Sequence, residues 1–171
     1  PATVPRHIRQ IHVEGNTATI TLTQGYTATI DVVDVPLVAG WNWCAMVQSH
    51  TVYAKRTDYS GVKPRSVLLH RVLMGEPDGL EVDHRDGNGL NNRRDNLRTA
   101  THPQNMQNQR VSKRNTSGEK GVDFHKQSGL WRARITVNGA TLQKYFKTRE
   151  SAIDAYASAS IEMHGDFRRV E

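Results

Sequence analysis

Apolar and polar residues alternate through much of the first sixty positions. Residues 17–23 (TATITLT) and 27–34 (TATIDVVD) are rich in β-branched side chains and flank Gln24-Gly25-Tyr26. The pattern predicts two strands joined by a hairpin loop. Residues 41–47 (WNWCAMV) and 50–56 (HTVYAKR) repeat it around Gln48-Ser49. A small antiparallel sheet is expected, with Trp41, Trp43 and Tyr53 in its core rather than stacked on a ligand. Residues 66–74 (SVLLHRVLM) form an apolar run that reads as either a strand or a short helix, and Gly75, Pro77 and Gly79 break the chain after it.

From residue 80 the pattern changes. Leu80 to Val82 predicts a short strand, Asp86-Gly87-Asn88-Gly89 a tight turn, and Asn96 to Ala100 a second short strand. Thr101-His102-Pro103-Gln104 predicts a helix start, with Thr101 at the N-cap, Pro103 in the first turn and Gln104 completing a capping box. Residues 111–120 (VSKRNTSGEK) hold no aliphatic residue after Val111 and read as an exposed basic linker. Three alternating segments then follow, around Gly129 and the hairpin signal Asn138-Gly139. Residues 149–165 carry Ala152, Ile153, Ala155, Tyr156, Ala159 and Met163 near helical spacing, with Gly165 at the end. The expected class is α+β. An N-terminal β region covers 1–66, a strand-loop-strand-helix unit 67–110, a linker 111–119, and a three-stranded sheet packed on one helix 120–171.

Composition narrows the function classes. Of 171 residues, 36% are hydrophobic, and no apolar run approaches the length of a membrane span. No charged segment precedes an apolar stretch as in a secretory signal, so none is expected. The lone Cys44 excludes an intrachain disulfide framework and fits a reducing, cytoplasmic setting. Net charge is +6, unevenly placed: residues 93–149 hold thirteen basic and three acidic side chains, a net of +10. That segment looks like an electrostatic footprint for a polyanion. Arg93 and Arg94 in the loop, and Lys113 and Arg114 in the linker, are its expected phosphate contacts.

Candidate chemistry lies at the end of the first short strand. Asp83 and His84 are adjacent, and a turn beginning there would let both face one site. If the two strands pair and the helix packs across them, Asp83 and Asn105 could share a metal with His84 beside it. A hard divalent cation such as Mg²⁺ takes oxygen ligands, which a carboxylate and an amide supply. A neutral His84 near its ordinary pKa of about 6.5 could take a proton from water. Asn96 carries neither charge nor proton and suits a hydrogen-bonded brace across the loop that holds His84.

The segment LHRVLMGEPDGLEVDHRDGNGLNNRRDNLRTATHPQNMQN, residues 69–108, resembles the HNH nuclease family in its phage and intron-encoded homing form. The resemblance implies a ββα-metal unit that cuts DNA with Mg²⁺ or Mn²⁺. It makes Asp83 and Asn105 the metal ligands, His84 the general base and Asn96 the loop-bracing asparagine. The last motif position is asparagine where the family often has histidine, and Asn108, one turn on, is the alternative ligand. His70 and Arg71 fit the family's "LHR" pattern. That places His70 with the catalytic residues and Arg71 on the DNA, against the alternative that His70 orders the fold beneath the site.

In the C-terminal third, residues 130–137 (LWRARITV) put Arg132 and Arg134 on one strand face, and Trp131, Ala133, Ile135 and Val137 on the other. Lys126, Gln143 and Lys144 are expected to extend the polar face. Gly121-Val122, Trp131-x-Ala133-x-Ile135, Phe146-x-Thr148 and Ala152-x-x-Ala155-Tyr156 resemble the plant APETALA/ethylene-response-factor DNA-binding domain over roughly 118–171. The third strand departs from it, since LQKYF lacks the usual leucine-glycine pair. The resemblance implies a sheet laid in the major groove, with Lys126, Trp131, Arg132, Arg134 and Lys144 as DNA contacts. Together the two resemblances imply a metal-dependent homing endonuclease on double-stranded DNA, acting in a bacterial or phage-infected cell. A monomer would nick and a homodimer could cut both strands. The alternative is a non-catalytic DNA-binding regulator on a nuclease-like scaffold.

Overall fold

β-Branched residues at alternate positions form the expected hairpin. The computed structural model describes residues 8–108, 111, 115–137 and 139–167. In it β1 (Ile11–Glu14), β2 (Thr17–Thr21) and β3 (Thr27–Asp31) make an antiparallel sheet in the order β1-β2-β3. Ala18 pairs with Ile30 and Ile20 with Ala28, and these four side chains are buried together. β1 alternates Ile11 and Val13 with His12 and Glu14, but it is four residues long and mostly exposed. β3 ends at Asp31, three residues short of expectation, because Val32–Asp34 turn into a 3-10 helix that leads to α1 (Val35–Val38). Pro36 sits in the first turn of α1, where a missing N–H costs nothing.

The second strand group forms its own sheet instead of joining the first: β4 (Cys44–Val47), β5 (Val52–Asp58) and β6 (Arg65–Leu68), in that order. Trp43 is buried as expected, and its Nε1 donates to Val38 O at 3.2 Å. Trp41 is not core: it is 50% exposed and carries the Arg56 guanidinium 3.9 Å from its ring centroid. A cation over an aromatic face keeps that ring useful at the surface. The ambiguous apolar run resolves as β6 followed by α2 (Leu69–Leu73). β7 (Glu81–His84) and β8 (Leu97–Ala100) pair antiparallel, with Asp83 opposite Arg98 and His84 opposite Leu97. One apolar cluster takes Ile20, Ile30, Trp43, Ala54, Leu69, Leu73, Val82 and Leu97, and so draws on both sides of residue 66. Each fully buried Ile or Leu contributes about 1.5–3 kcal/mol.

Chain contacts divide into two compact units between Ala100 and Thr101. The second unit holds α3 (His102–Gln107), β9 (Val122–His125), β10 (Leu130–Val137), β11 (Ala140–Phe146) and α4 (Arg149–His164). The capping box is present: Gln104 N donates to Thr101 Oγ1, and Thr101 N donates to Gln104 Oε1 at 2.8 Å. The sheet order is β11-β10-β9, and α4 buries Ala152 against Val122 and Ala133. Thr148 caps α4 by accepting from Ser151 N. Gly121 has φ +68°, and any side chain there would collide with the Tyr156 ring. Part of the expected linker is folded. Asn115 Oδ1 accepts from Ser117 N and Gly118 N at 2.8 and 2.9 Å, and Ser117 is buried with its hydroxyl donating to Val122 O. The short polar side chains that suggested a linker here make an Asx turn. Asn138 lies outside the described residues.

Candidate active site

The loop between β7 and β8 is polar because its side chains replace a missing ladder. Asp86 is its hub: Oδ1 accepts from Asn88 N at 2.8 Å and Asn96 Nδ2 at 3.0 Å, and Oδ2 accepts from Asn91 Nδ2 at 2.8 Å. Asn96 joins the two ends of the loop, accepting from Asp86 N at 3.1 Å and donating to Asn91 O at 2.7 Å. The N-terminal sheets hold the same loop from outside. Thr29 N donates to Leu90 O at 2.9 Å, and Asn92 N donates to Thr29 O at 2.7 Å. Gly89 N donates to Thr51 Oγ1 at 2.8 Å. A Cβ on Gly89 would lie within 2.7 Å of the Tyr53 ring and the Val52 carbonyl, so only glycine permits this approach.

Around this loop β7 and α2 place two buried histidines. His84 and His70 are 5% exposed, and their rings meet edge to face at 5.0 Å. Tyr53, expected in the core, is half-buried with its ring 5.8 Å from His84 and 5.5 Å from His70. Asn92, fully buried, sets its Oδ1 3.3 Å from His84 Nε2, while its Nδ2 donates to Gly89 O at 3.3 Å. That second bond orients the amide, so Nε2 carries the proton and Nδ1 is the basic nitrogen. Burial pulls the His84 pKa down, against the opposing pull of Asn92, Asp86 and Asp83. This corrects the expectation of an ordinary imidazole: the ring is held neutral by its surroundings. His84 also remains inside the strand, so alternation turns Asp83 to the other side of the ribbon. There Asp83 meets Arg98, whose Nε and Nη2 donate to its Oδ2 at 2.8 and 2.6 Å, both side chains being buried.

His70 is pushed down to about 3 by burial, then by the neighbouring His84 and Arg71. Its buried Nδ1 has no hydrogen-bond partner among the described residues. A neutral buried histidine stabilises the fold fully above its unfolded pKa of about 6.5, and that contribution is lost as pH falls from there toward 3. Wild-type urea midpoints should therefore drop between pH 7 and pH 5, and a His70→Asn variant should show a shallower drop. Equal slopes would refute this account of the acid sensitivity.

The other expected residues are placed as follows. Arg71 donates to Leu80 O at 2.9 Å and Pro77 O at 2.8 Å, closing the turn between α2 and β7. Arg93 Nε donates to Asp31 at 3.1 Å, and Arg94 Nη2 to the buried Asp34 at 2.6 Å. Both arginines thus tie the loop to the end of β3. Asn105 lies half-buried on α3 in the second unit, where Asn108 is buried at the C-cap. On the second sheet Arg132 donates to Asp123 at 2.8 Å, whereas Arg134 is exposed. Lys126 is exposed just after β9. Trp131 lies on the apolar side, edge to face with Phe124 at 5.4 Å. Lys144 pairs with Ala133 and so sits on the helix side: adjacent residues cannot both join the arginine face, and Gln143 is the one that does. Lys113 and Arg114 lie outside the described residues. Sequence reasoning missed Asn92, Arg98 and Tyr53; the paired asparagines 91–92 in a turn-forming loop were the one available signal.

For a divalent metal the donor chemistry fits. Asp83 offers carboxylate oxygen, a hard ligand, where a cation takes the place of the Arg98 guanidinium that holds it. No group of three or more His, Cys, Asp or Glu able to hold a metal occurs among the described residues.

Residues 67–107 match the HNH endonuclease family. Protein 3.8 of Escherichia phage T7 is 38% identical over 95 residues, 54% of this chain and 77% of that protein. An uncharacterized HNH endonuclease of Acanthamoeba polyphaga mimivirus is 30% identical over 134 residues, 77% of this chain and 67% of that protein. No solved structure matches at a significant level. The chain belongs to the HNH endonuclease family. It is a nuclease, its substrate is DNA, and HNH nucleases use divalent metal ions. No helix among the described residues is long and apolar enough to cross a membrane.

Proposed function

We propose that this nuclease is a metal-dependent endonuclease of the homing type, with β7, the polar loop and β8 carrying its catalytic base. The observation that carries the reading is the buried His84, held neutral by its surroundings, inside the family-matched segment. Asp83 is the proposed ligand of the ion, Mg²⁺ or Mn²⁺, exchanging the Arg98 guanidinium for it, and Asn105 is the second ligand that the family resemblance implies. When bound, the ion stabilises charge developing on the scissile phosphate and leaving oxygen. His84 takes the proton of the attacking water on Nδ1, with Asn92 holding the tautomer through Nε2. Asn96 keeps the loop closed beneath the base. His70, uncharged at neutral pH, props the His84 ring.

The C-terminal sheet and α4 act as an ethylene-response-factor-type DNA-recognition domain. Three strands on one helix, with an arginine face opposite the packed side, support this. Arg134 is the base reader with an unshielded guanidinium end of the strand face, and Asp123 holds Arg132 in place beside it. Supercoiled plasmid with Mg²⁺ or Mn²⁺, with and without EDTA, tests the reading. Nicking that EDTA abolishes is expected, and linear product first would indicate a dimer. Cut-site maps on long DNA test the recognition domain. Arg134→Ala should lose about 1–3 kcal/mol of site discrimination. An unchanged map for Arg132→Ala/Arg134→Ala would remove the C-terminal sheet as the reader.

A further inference from the structure

We propose that Tyr53 is a positioning residue of the active site: its ring, delivered by β5 of the N-terminal region, fixes the plane of the His84 imidazole. The proposal rests on the assignment of His84 as the base. An imidazole turns about its outer side-chain bond, and the 3.3 Å hydrogen bond to Asn92 holds one edge of the ring. Two aromatic rings pack against it. His70 meets His84 edge to face at 84° and 5.0 Å, and Tyr53 meets it tilted at 51° and 5.8 Å. Tyr53 also contacts His70 at 5.5 Å, so the three rings form a closed triangle. All three separations lie in the range where aromatic pairs attract.

Tyr53 is itself pinned from the other side. Gly89 of the site loop approaches its ring so closely that no side chain fits, and Thr51, just before β5, holds Gly89 N. Its neighbour Ala54 enters the aliphatic core, and alternation sends Tyr53 the opposite way, to the histidines. Burial and the charge of Asp83 raise its phenol pKa, so the group stays uncharged and adds no field of its own. The N-terminal β region therefore does more than carry the nuclease unit: it packs an aromatic ring on the proposed base.

Full-length Tyr53→Met, which keeps bulk and removes the ring, should lose about 10- to 100-fold in single-turnover nicking rate, with DNA affinity unchanged within a factor of about two. Tyr53→Phe, the conservative variant, should recover most of that loss, because the ring and not the hydroxyl positions His84. In the wild-type protein, proton NMR should show Tyr53 ring contacts to both imidazoles, and the His84 ring protons should shift in Tyr53→Met but little in Tyr53→Phe. A folded Tyr53→Met that cuts at the wild-type rate overturns the proposal. So does a Tyr53→Phe as slow as Tyr53→Met, or a wild-type spectrum without those contacts, which decides the matter even if Tyr53→Met does not fold. His84→Ala run alongside separates the two levels. If it still cuts, the base assignment fails; if it is inactive while Tyr53→Met is normal, only the positioning role fails.

Discussion

His84→Ala should cut DNA about 10²–10⁴-fold more slowly than the wild type, the span expected for losing a general base. The expectation follows from three features of the site. The ring is buried, its neighbours hold it neutral, and Asn92 Oδ1 takes the Nε2 proton. A base so prepared loses nothing to a competing protonated form at neutral pH. DNA affinity should change little, because His84 is a buried, uncharged ring and phosphate attraction comes from exposed cations. Single-turnover rates on supercoiled plasmid at saturating protein, with affinity measured separately in EDTA, give the two quantities. Wild-type cutting by a clean His84→Ala preparation would end the assignment, and equal losses in rate and affinity would make His84 a structural residue. Raising the metal concentration should not rescue the variant, since no ion restores a missing proton acceptor.

What the sequence made legible was local. Alternation in residues 17–31 named the buried face of the first sheet, since Ala18, Ile20, Ala28 and Ile30 need only their own strand pattern. Thr101 and Gln104 announced a helix start because a capping box is complete within four residues. The pieces that stayed hidden are set by partners far along the chain. Arg94 reads as a free cation until Asp34, sixty positions earlier, takes its guanidinium. Tyr53 and Trp41 look alike as strand aromatics, yet one meets two histidines and the other a surface arginine. Asn92 and Arg98 were overlooked because asparagine in a loop and arginine in a basic segment are ordinary there. Only the fold shows that one orients His84 and the other neutralises Asp83. Lys144 is the exception: its parity against Gln143 and Arg134 was readable from the hairpin alone.

Arg98→Met should destabilise the protein by about 3–5 kcal/mol, because it leaves the Asp83 carboxylate buried without its cation. Methionine keeps much of the length and apolar stem of arginine, so the loss reports charge more than volume. Asp83 Oδ2 accepts from both Nε and Nη2 of Arg98, and each side chain is 7% exposed. Adding Asp83→Asn to Arg98→Met should return part of the stability, since the stranded charge is then gone. The same pair of variants locates the metal. An ion held by Asp83 would supply the positive charge that Arg98→Met lacks. Mg²⁺ or Mn²⁺ should therefore raise the urea midpoint of Arg98→Met, by up to about 2.7 kcal/mol at a hundred times its dissociation constant, and raise the Asp83→Asn/Arg98→Met midpoint far less. Unfolding curves in EDTA and in each ion give both comparisons. If Arg98→Met in EDTA matches the wild type, the ion pair does not govern stability. If the ions raise single and double variants equally, they bind somewhere other than Asp83, and the metal assignment of that carboxylate falls with it.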